Sequence, residues 1–270
     1  MTKLLGVIGD PIAHSLSPLI HNGWIRDMGF NATYEAMHVP AGAFGSALKT
    51  LESRDILGVN VTLPHKASAL EAAHMATDAA RKIGAANTLT FQKDHKWSAD
   101  NTDASGFLQA LGSYSPDTDN IVILGAGGSA RALVYALAIS QVQLTILNRT
   151  ESKAHDLASE LGSEKTVYGP IVQYKDYIDS ATIVINTTSM GHDGQILALP
   201  EGRDRLFFDI SYGKIAKPQL EEARSKGWQV RDGLHMLIAQ AALSFEIWLG
   251  EQPDQTAALR RAQIALEAAK

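Results

Sequence analysis

The 270-residue sequence contains no cysteine. This absence excludes disulfide bonds, thiol nucleophiles, iron–sulfur clusters and cysteine-ligated zinc, and it fits a reducing cytosol. Long apolar runs are also missing, since none approaches the roughly 18 residues that a membrane-spanning helix needs. The first apolar run is short and ends at Asp10 and Pro11, whereas a secretory signal needs a longer one. We therefore predict a cytoplasmic protein without a membrane partner.

Charge of one sign is not concentrated anywhere in the chain. It has 24 basic and 29 acidic residues, a net charge of −5, and no basic block of the kind that nucleic-acid binding needs. The missing basic block predicts no nucleic-acid partner. The nine histidines lack the paired spacing of a zinc-binding helix, so we predict no metal site. Hydrophobic residues make up 45% and charged residues 20%, which is typical of a globular protein.

Short apolar runs alternate with stretches of helical periodicity along the whole chain. This alternation predicts a parallel α/β architecture. The polar stretch 112–120 (GSYSPDTDN) predicts a turn before a new βαβ unit, and the chain after Asp232 is predicted to be helical. The predicted strands are Leu4–Ile8, Thr33–Val39, Gly58–Thr62, Thr88–Gln92, Ile121–Leu124, Gln143–Leu147, Ile183–Ile185 and Leu206–Asp209.

A glycine-rich turn follows the apolar run 121–124, and a helical pattern comes after it. The turn reads Gly125-Ala126-Gly127-Gly128-Ser129-Ala130, which matches the spacing G-x-G-x-x-A. In this pattern the first glycine permits a tight turn, the second lets a pyrophosphate approach the backbone, and the alanine permits close helix packing. A plain turn is the alternative, but the strand before and the helix after favour dinucleotide binding.

The end of the next predicted strand indicates which dinucleotide is bound. An NAD site usually has an acidic residue there, whereas this sequence has Asn148-Arg149-Thr150 with Lys153 shortly after. Arg149 can form paired hydrogen bonds to a 2′-phosphate, so NADP is favoured over NAD. The alternative is a solvated helix start with Thr150 as its N-cap.

Two further strand-to-helix junctions carry more polar residues than a turn requires. The segment 59–66 (VNVTLPHK) places Lys66 near a helix N-terminus, although a lysine after a proline is often only a surface charge. The segment 98–107 (SADNTDASGF) allows Thr102 to cap a helix with Asp103 in its first turn. A cap explains one or two of these residues, but not the whole polar run.

Nine segments of the sequence, in order, match the pattern of one known family. They are GDPIAHSLSP (9–18), NVTLPHK (60–66), GAANT (84–88), DNTDASGF (100–107), GAGGSARA (125–132), NRT (148–150), NTTSMG (186–191), FDISY (208–212) and GLHMLIAQA (233–241). Over essentially its whole length the sequence resembles the shikimate dehydrogenases. The resemblance implies two α/β lobes: an N-terminal parallel α/β substrate-binding domain (1–101) and a Rossmann NADP-binding domain (102–235). It also implies C-terminal helices (236–270) that return to the first lobe.

The resemblance further implies an oxidoreductase that interconverts 3-dehydroshikimate and shikimate with NADP(H), in chorismate and aromatic amino-acid biosynthesis. Lys66 and Asp103 would form the catalytic acid/base pair. The residues implied in binding the substrate are Ser15, Ser17, Thr62, Asn87, Tyr212 and Gln240. Those implied in binding the cofactor are Asp78, Gly125, Ala126, Gly127, Gly128, Ser129, Asn148, Arg149, Thr150, Lys153, Thr188, Ser189, Met190, Ile210, Gly233 and Met236.

The sequence departs from the family pattern after Tyr212, where the family often has Tyr-x-Pro and later Thr-Pro. Here the residues are Gly213-Lys214 and Lys217-Pro218, which we expect to affect a structural loop. Two alternatives stay open. One is a quinate/shikimate dehydrogenase with broader substrate or NAD use, and the other is a non-catalytic NADP-binding regulatory module. The alanine- and leucine-rich final helix is compatible with a monomer or a homodimer.

Overall fold

The structure is a computed structural model that describes residues 2–268, except for the side chain of residue 192. Its contacts group the chain into two compact units. The first unit comprises Met1–Gly106 and Leu237–Lys270, and the second comprises Phe107–Met236. The predicted division into 1–101, 102–235 and 236–270 remains a prediction, and the grouping by contacts differs from it by a few residues.

The first unit is built on a twisted sheet with the strand order β2-β1-β3-β5-β6-β4. Its strands are β1 (Lys3–Gly9), β2 (Ala32–His38), β3 (Ile56–Val61), β4 (Met75–Ala76), β5 (Thr88–Phe91) and β6 (Trp97–Asp100). Its helices are α1 (Ser17–Asp27), α2 (Phe44–Glu52), α3 (Lys66–Ala72), α4 (Asp78–Ile83), α5 (Asp103–Leu111), α10 (Leu234–Leu249) and α11 (Gln255–Ala268), with α5 and α10 continuing into the second unit.

The sheet of the first unit is not parallel throughout. Strands β1, β2 and β3 are parallel, with Ile8 paired to Val61 and Met37, but β5 runs antiparallel to both β3 and β6. The pair β5 and β6 is antiparallel because only a short turn joins these strands, and a parallel pair would need a long crossover. One face of this sheet packs a core around Ile8, Val59 and Leu89.

An aromatic cluster joins α10 to the start of the first unit. His21 on α1 is fully buried and stacks on Tyr34, with ring centroids 4.1 Å apart and planes 2° apart. The side chains of Trp24, Phe245 and Trp248 surround the same imidazole ring. Within the described residues, neither ring nitrogen of His21 has a hydrogen-bond partner, so burial lowers the pKa of His21 from 6.5 to about 3.

This buried imidazole makes the stability of the protein sensitive to acid. Between pH 6.5 and about 3, the unfolded chain binds a proton at His21 that the folded chain does not. The free energy of unfolding therefore falls as the pH is lowered, by about 2 kcal/mol between pH 7 and pH 5 from this group. We expect His21→Phe to remove this part of the loss, as measured by urea unfolding at both pH values. The same substitution at exposed His74 is the control, and an unchanged pH difference in His21→Phe would contradict the assignment.

The second unit is a parallel sheet with the order β12-β11-β10-β7-β8-β9 and helices between successive strands. Its strands are β7 (Asn120–Leu124), β8 (Gln143–Asn148), β9 (Thr166–Pro170), β10 (Ile183–Asn186), β11 (Leu206–Asp209) and β12 (Gln229–Arg231). Its helices are α6 (Gly128–Ala138), α7 (Glu151–Leu161), α8 (Tyr174–Ile178) and α9 (Lys217–Ser225), with 3₁₀ turns at Ile171–Gln173 and Met190–Asp193. The strand order reverses between β7 and β10, and doubly wound sheets bind their ligands at such a point.

All eight predicted strands lie where the structure has strands, and the two-sheet α/β class is confirmed. The strands that the sequence did not predict are β4, β6, β9 and β12. They have two to five residues and lack a clear apolar run, so periodicity gives them no signal. No described helix is both long and apolar enough to cross a membrane.

Candidate active site

Two oppositely charged side chains meet in the first unit where two helices begin. Helix α3 begins at Lys66 and helix α5 begins at Asp103. The Nζ of Lys66 donates to Oδ2 of Asp103 at 2.6 Å, and the two side chains are only 11% and 8% exposed. The positive end of the α5 dipole stabilises the carboxylate of Asp103, and the carboxylate in turn stabilises the ammonium. Lys66 is thus part of a buried ion pair and is not an isolated surface charge.

Asn87 connects this pair to the helix that returns from the second unit. Its Nδ2 donates to Oδ1 of Asp103 at 2.8 Å and to Oε1 of Gln240, on α10, at 3.1 Å. Helix α10 can come this close because α5 has a glycine at the crossing: a β-carbon on Gly106 would lie 2.7 Å from the Gln240 backbone nitrogen. The structure therefore brings together four sequence-predicted residues: Lys66, Asp103, Asn87 and Gln240.

The alternative reading of segment 98–107 as an ordinary helix cap does not fit its contacts. The backbone N–H of Asp103 donates to Oδ1 of Asn101 at 3.1 Å, so the side chain of Asn101 accepts a hydrogen bond from the start of the helix. The Thr102 hydroxyl instead lies 2.9 Å from Nδ2 of Asn87. The polar run thus serves the buried network as well as the start of the helix.

Asn60 belongs to this network although the sequence analysis gave it no role. It is 6% exposed, accepts from the Tyr34 hydroxyl at 2.7 Å, and donates to the backbone oxygen of Asn87 at 3.2 Å. Burial raises the pKa of Tyr34 well above 10, and a hydrogen bond with Ser17 opposes that shift. The available signal was an asparagine inside a strand that is otherwise buried and apolar, since such a group must be hydrogen-bonded.

The other predicted substrate residues lie in both units. Ser15 and Ser17 flank the start of α1, where Ser15 Oγ accepts from the backbone N–H of Ser17 at 3.2 Å. Thr62 follows β3, and Tyr212 lies in the second unit, in the loop after β11. The unusual Lys217 that follows this loop begins α9, and the proline after it lies in the first turn of the helix, where proline is well tolerated.

The glycine-rich turn of the second unit has the geometry of a pyrophosphate cradle. Gly125 has φ +111°, and a β-carbon on it would collide with Oγ1 of Thr187 after β10, so only glycine fits between the two central strands. Gly127 precedes α6 in ordinary extended backbone, and a β-carbon there would have no described atom within 4 Å. Protein packing does not require a glycine at Gly127, so its bare backbone fits a bound phosphate at the helix N-terminus.

Gly127→Ala tests this cradle without disturbing the fold. The added methyl group enters open space in the protein, so we expect an unchanged or slightly higher Tm. It also occupies the surface that the pyrophosphate would contact, so we expect affinity for NADPH to fall at least about tenfold, as measured by fluorescence titration. The matched control is Gly45→Ala, another glycine whose β-carbon would meet nothing within 4 Å. Normal NADPH affinity in Gly127→Ala would contradict the assignment.

The predicted 2′-phosphate residues begin with Asn148, the last residue of β8. Asn148 Nδ2 donates to the backbone oxygen of Thr150 at 2.9 Å, which shapes the loop. Thr150 stands at the N-cap of α7, but its side chain forms no cap hydrogen bond within the part of the chain described. Thr150 and the exposed Arg149 thus lie in the short loop before α7, and the exposed Lys153 lies in the first turn of that helix. This segment is the predicted site of the 2′-phosphate.

The remaining predicted cofactor residues follow the carboxyl ends of three other strands of this sheet. They are Thr188, Ser189 and Met190 after β10, Ile210 after β11, and Gly233 and Met236 after β12. Gly233 must be glycine, because a β-carbon on it would collide with the backbone oxygen of Ile210. Asp78 is exposed in the first turn of α4 in the first unit, where a carboxylate stabilises the helix dipole. Its cofactor role stays a prediction.

Two buried side chains that the sequence analysis did not name hold the loop after β10. Asn186 Oδ1 accepts from the hydroxyl of Thr188 at 2.7 Å, and its Nδ2 donates to Oδ2 of Asp209 at 2.8 Å. Burial raises the pKa of Asp209, while hydrogen bonds from Asn186 and Ser211 act in the opposite direction. The signal was a polar residue at the carboxyl end of each buried strand, at the edge where such sheets bind ligands.

Three family models match consecutive parts of the chain. A shikimate dehydrogenase substrate binding domain matches residues 7–89, shikimate / quinate 5-dehydrogenase matches 109–225, and a shikimate 5′-dehydrogenase C-terminal domain matches 233–263. The chain belongs to the shikimate dehydrogenase family. This confirms the predicted family. In the side chains that the structure describes, no three His, Asp or Glu residues form a group able to hold a metal ion.

Individual shikimate dehydrogenases match over nearly the full length. The NADP(+) shikimate dehydrogenase of Hyphomonas neptunium is 47% identical over 99% of both chains. The shikimate dehydrogenase structure from Aquifex aeolicus has a TM-score of 0.87 at 34% identity, covering 97% of each chain. The Thermus thermophilus shikimate 5-dehydrogenase in complex with NADP(H) and shikimate has a TM-score of 0.84 at 33% identity, covering 98% of this chain and 100% of that one.

Proposed function

We propose that this protein catalyses the reversible, NADPH-dependent reduction of 3-dehydroshikimate to shikimate, a step of the shikimate pathway. The observation that carries the proposal is the buried ion pair of Lys66 and Asp103, 2.6 Å apart. Reduction of a ketone needs a proton donor at the oxygen, and an ammonium held by a carboxylate is a suitable one. The predicted activity and cofactor are also those in the names of the relatives described above.

Each residue has a distinct part in this reaction. Bound NADPH supplies the hydride that adds to the carbonyl carbon. Lys66 donates a proton to the developing alkoxide and takes it back in the reverse direction, while Asp103 orients the ammonium and stabilises its charge. Because Nδ2 of Asn87 also donates a hydrogen bond to Oδ1 of Asp103, the pair is pre-organised before the substrate binds.

The other side chains bind and orient the substrate and the cofactor. The hydroxyls of Ser15 and Ser17 would hold the substrate carboxylate, and the substrate-binding role of Tyr212 remains a prediction. Thr62, Asn87 and Gln240 would bond the ring hydroxyls, so that the reacting carbon keeps a near-attack geometry.

On the cofactor side, residues 125–129 would hold the pyrophosphate of NADP and residues 148–153 its 2′-phosphate. The side chains after β10, β11 and β12 would line the ribose and the nicotinamide. A cytoplasmic location and the choice between monomer and homodimer remain predictions.

The deciding experiment is the initial rate of NADPH formation from shikimate and NADP⁺. The assay is repeated with quinate in place of shikimate and with NAD⁺ in place of NADP⁺. Turnover confined to shikimate with NADP⁺ is the expected result. Comparable rates with quinate or NAD⁺ would favour the broader quinate/shikimate enzyme, and no turnover with any pair would favour a non-catalytic NADP-binding module.

A further inference from the structure

Three buried hydroxyl groups lie behind the catalytic pair. The hydroxyls of Thr88, Thr102 and Ser244, here called the hydroxyl cluster, are 2.8 to 3.3 Å from one another. Their residues are 1%, 4% and 0% exposed. Thr88 belongs to β5 and Ser244 to α10, so the cluster joins segments that lie 156 residues apart in sequence. None of the three residues is among those predicted to bind the substrate or the cofactor or to transfer the proton.

The backbone N–H of Thr102 and the hydroxyl of Thr88 fix which way the amide of Asn87 points. The backbone N–H of Thr102 lies 2.8 Å from one amide atom of Asn87, and because an N–H only donates, that atom is the oxygen Oδ1. The Thr88 hydroxyl donates to the same oxygen at 3.0 Å. The nitrogen Nδ2 therefore faces the other way, where it donates to Oδ1 of Asp103 at 2.8 Å. The other carboxylate oxygen of Asp103, Oδ2, accepts the hydrogen bond from Lys66.

The hydrogen bonds behind Asn87 have one consistent direction. The Tyr34 hydroxyl donates to Oδ1 of Asn60 at 2.7 Å, so Nδ2 of Asn60 is the atom that donates to Oγ of Ser244 at 2.8 Å. The proton of Thr88 is committed to Asn87, so Ser244 donates to Thr88 across 2.8 Å. That distance is shorter than the 3.1 Å from Ser244 Oγ to the backbone oxygen of Gln240. In this series of hydrogen bonds, the hydroxyls of Ser244 and Thr88 each accept one hydrogen bond and donate one.

We propose that Thr88 and Ser244 are positioning residues for the reduction. Their hydroxyls hold the Asn87 amide in the orientation that keeps Asp103 directed at Lys66, although neither residue needs to touch the substrate. The cluster is out of contact with water, where a hydrogen bond is stronger and an unsatisfied polar group is costly. The inference rests on the proposed function, since its effect is read in the turnover of 3-dehydroshikimate.

A pair of substitutions at Thr88 separates the hydroxyl from the rest of the side chain. Thr88→Val keeps the shape and removes the donor to Asn87, so we expect kcat to fall about tenfold with KM for NADPH unchanged. Thr88→Ser keeps the hydroxyl and removes the methyl group, so we expect kcat to return to near the wild-type value. Thr90→Val makes the same change on the same strand outside the cluster, and it controls for a general effect on β5.

Ser244→Ala provides an independent test from the other end of the chain. We expect a fall in kcat of similar size, and we expect the double variant Thr88→Val/Ser244→Ala to be no slower than Thr88→Val, because both changes break one hydrogen-bond chain. Tm is measured for every variant, and if Thr88→Val does not fold, Ser244→Ala decides the question.

Wild-type kcat in a folded Thr88→Val or Ser244→Ala protein would overturn the positioning role. It would also be overturned if Thr88→Ser were as slow as Thr88→Val. Absence of turnover in the wild-type protein itself would instead overturn the proposed function, so the two failures are distinguishable.

Discussion

Lys66→Met is expected to lower kcat for the reduction of 3-dehydroshikimate roughly 10²–10⁴-fold, the contribution typical of a general acid. Methionine retains the length and the apolar stem of the lysine but has no proton to donate. The predicted cradle for NADPH lies in the second unit, so affinity for NADPH is expected to stay at the wild-type value. Steady-state kinetics and a fluorescence titration with NADPH measure the two quantities separately.

Stability must be followed in the same variant, because the substitution leaves the carboxylate of Asp103 buried without its cation. The double variant Lys66→Met/Asp103→Asn removes that charge, so we expect it to regain Tm but not activity. Lys82→Met, which changes an exposed lysine on α4, is the matched control. A folded Lys66→Met protein with kcat within tenfold of wild type would rule out Lys66 as the proton donor.

Arg149→Ala is expected to weaken the binding of NADPH about 10- to 100-fold and to leave the binding of NADH nearly unchanged. The two cofactors differ only in the 2′-phosphate, which is the group that a guanidinium binds with paired hydrogen bonds. Arg149 is exposed, so its removal does not disturb the core. The dissociation constants of both cofactors are compared for the variant and the wild type.

Salt provides a second readout of the same contact. Because the site is exposed, the preference for NADPH over NADH is expected to shrink as ionic strength rises in the wild type, and to change less in Arg149→Ala. Arg224→Ala, an exposed arginine in the last turn of α9, is the matched control. Equal losses of affinity for NADPH and NADH in Arg149→Ala would remove the assignment to the 2′-phosphate.

Much of the fold could be predicted because the central strands are nearly continuous apolar runs. Strand β7 is one example, and the glycines that follow it have a spacing with a physical meaning. The short strands β4 and β12 could not be predicted, because two or three residues carry no periodicity. The antiparallel direction of β5 was also missed, since strand direction depends on how the connection is made and not on the apolar pattern alone.

The candidate site divides in a similar way. Lys66 and Asp103 stand at strand-to-helix junctions, and a local motif is enough to make them candidates. The contact of Asn87 with Gln240 spans 153 residues, so only a family resemblance or a structure can bring those two together. Ser244 carried no signal at all, because a serine among alanines and leucines on a buried helix face is not distinguishable by sequence from ordinary packing.

The discontinuity of the first unit has a consequence for how the chain is made. Residues 107–236, which form the second unit, all leave the ribosome before the segment 237–270 that completes the first unit. The first unit therefore cannot be completed until α10 has been synthesised. The second unit can fold earlier, because domains generally fold as units during synthesis. Gln240 and Ser244 belong to this last segment, so Asn87 gains its contact with Gln240, and Thr88 its contact with Ser244, only at the end of translation. A nascent chain that stalls before residue 240 would contain Lys66 and Asp103 but would lack the hydrogen bonds that Gln240 and Ser244 make to Asn87 and Thr88.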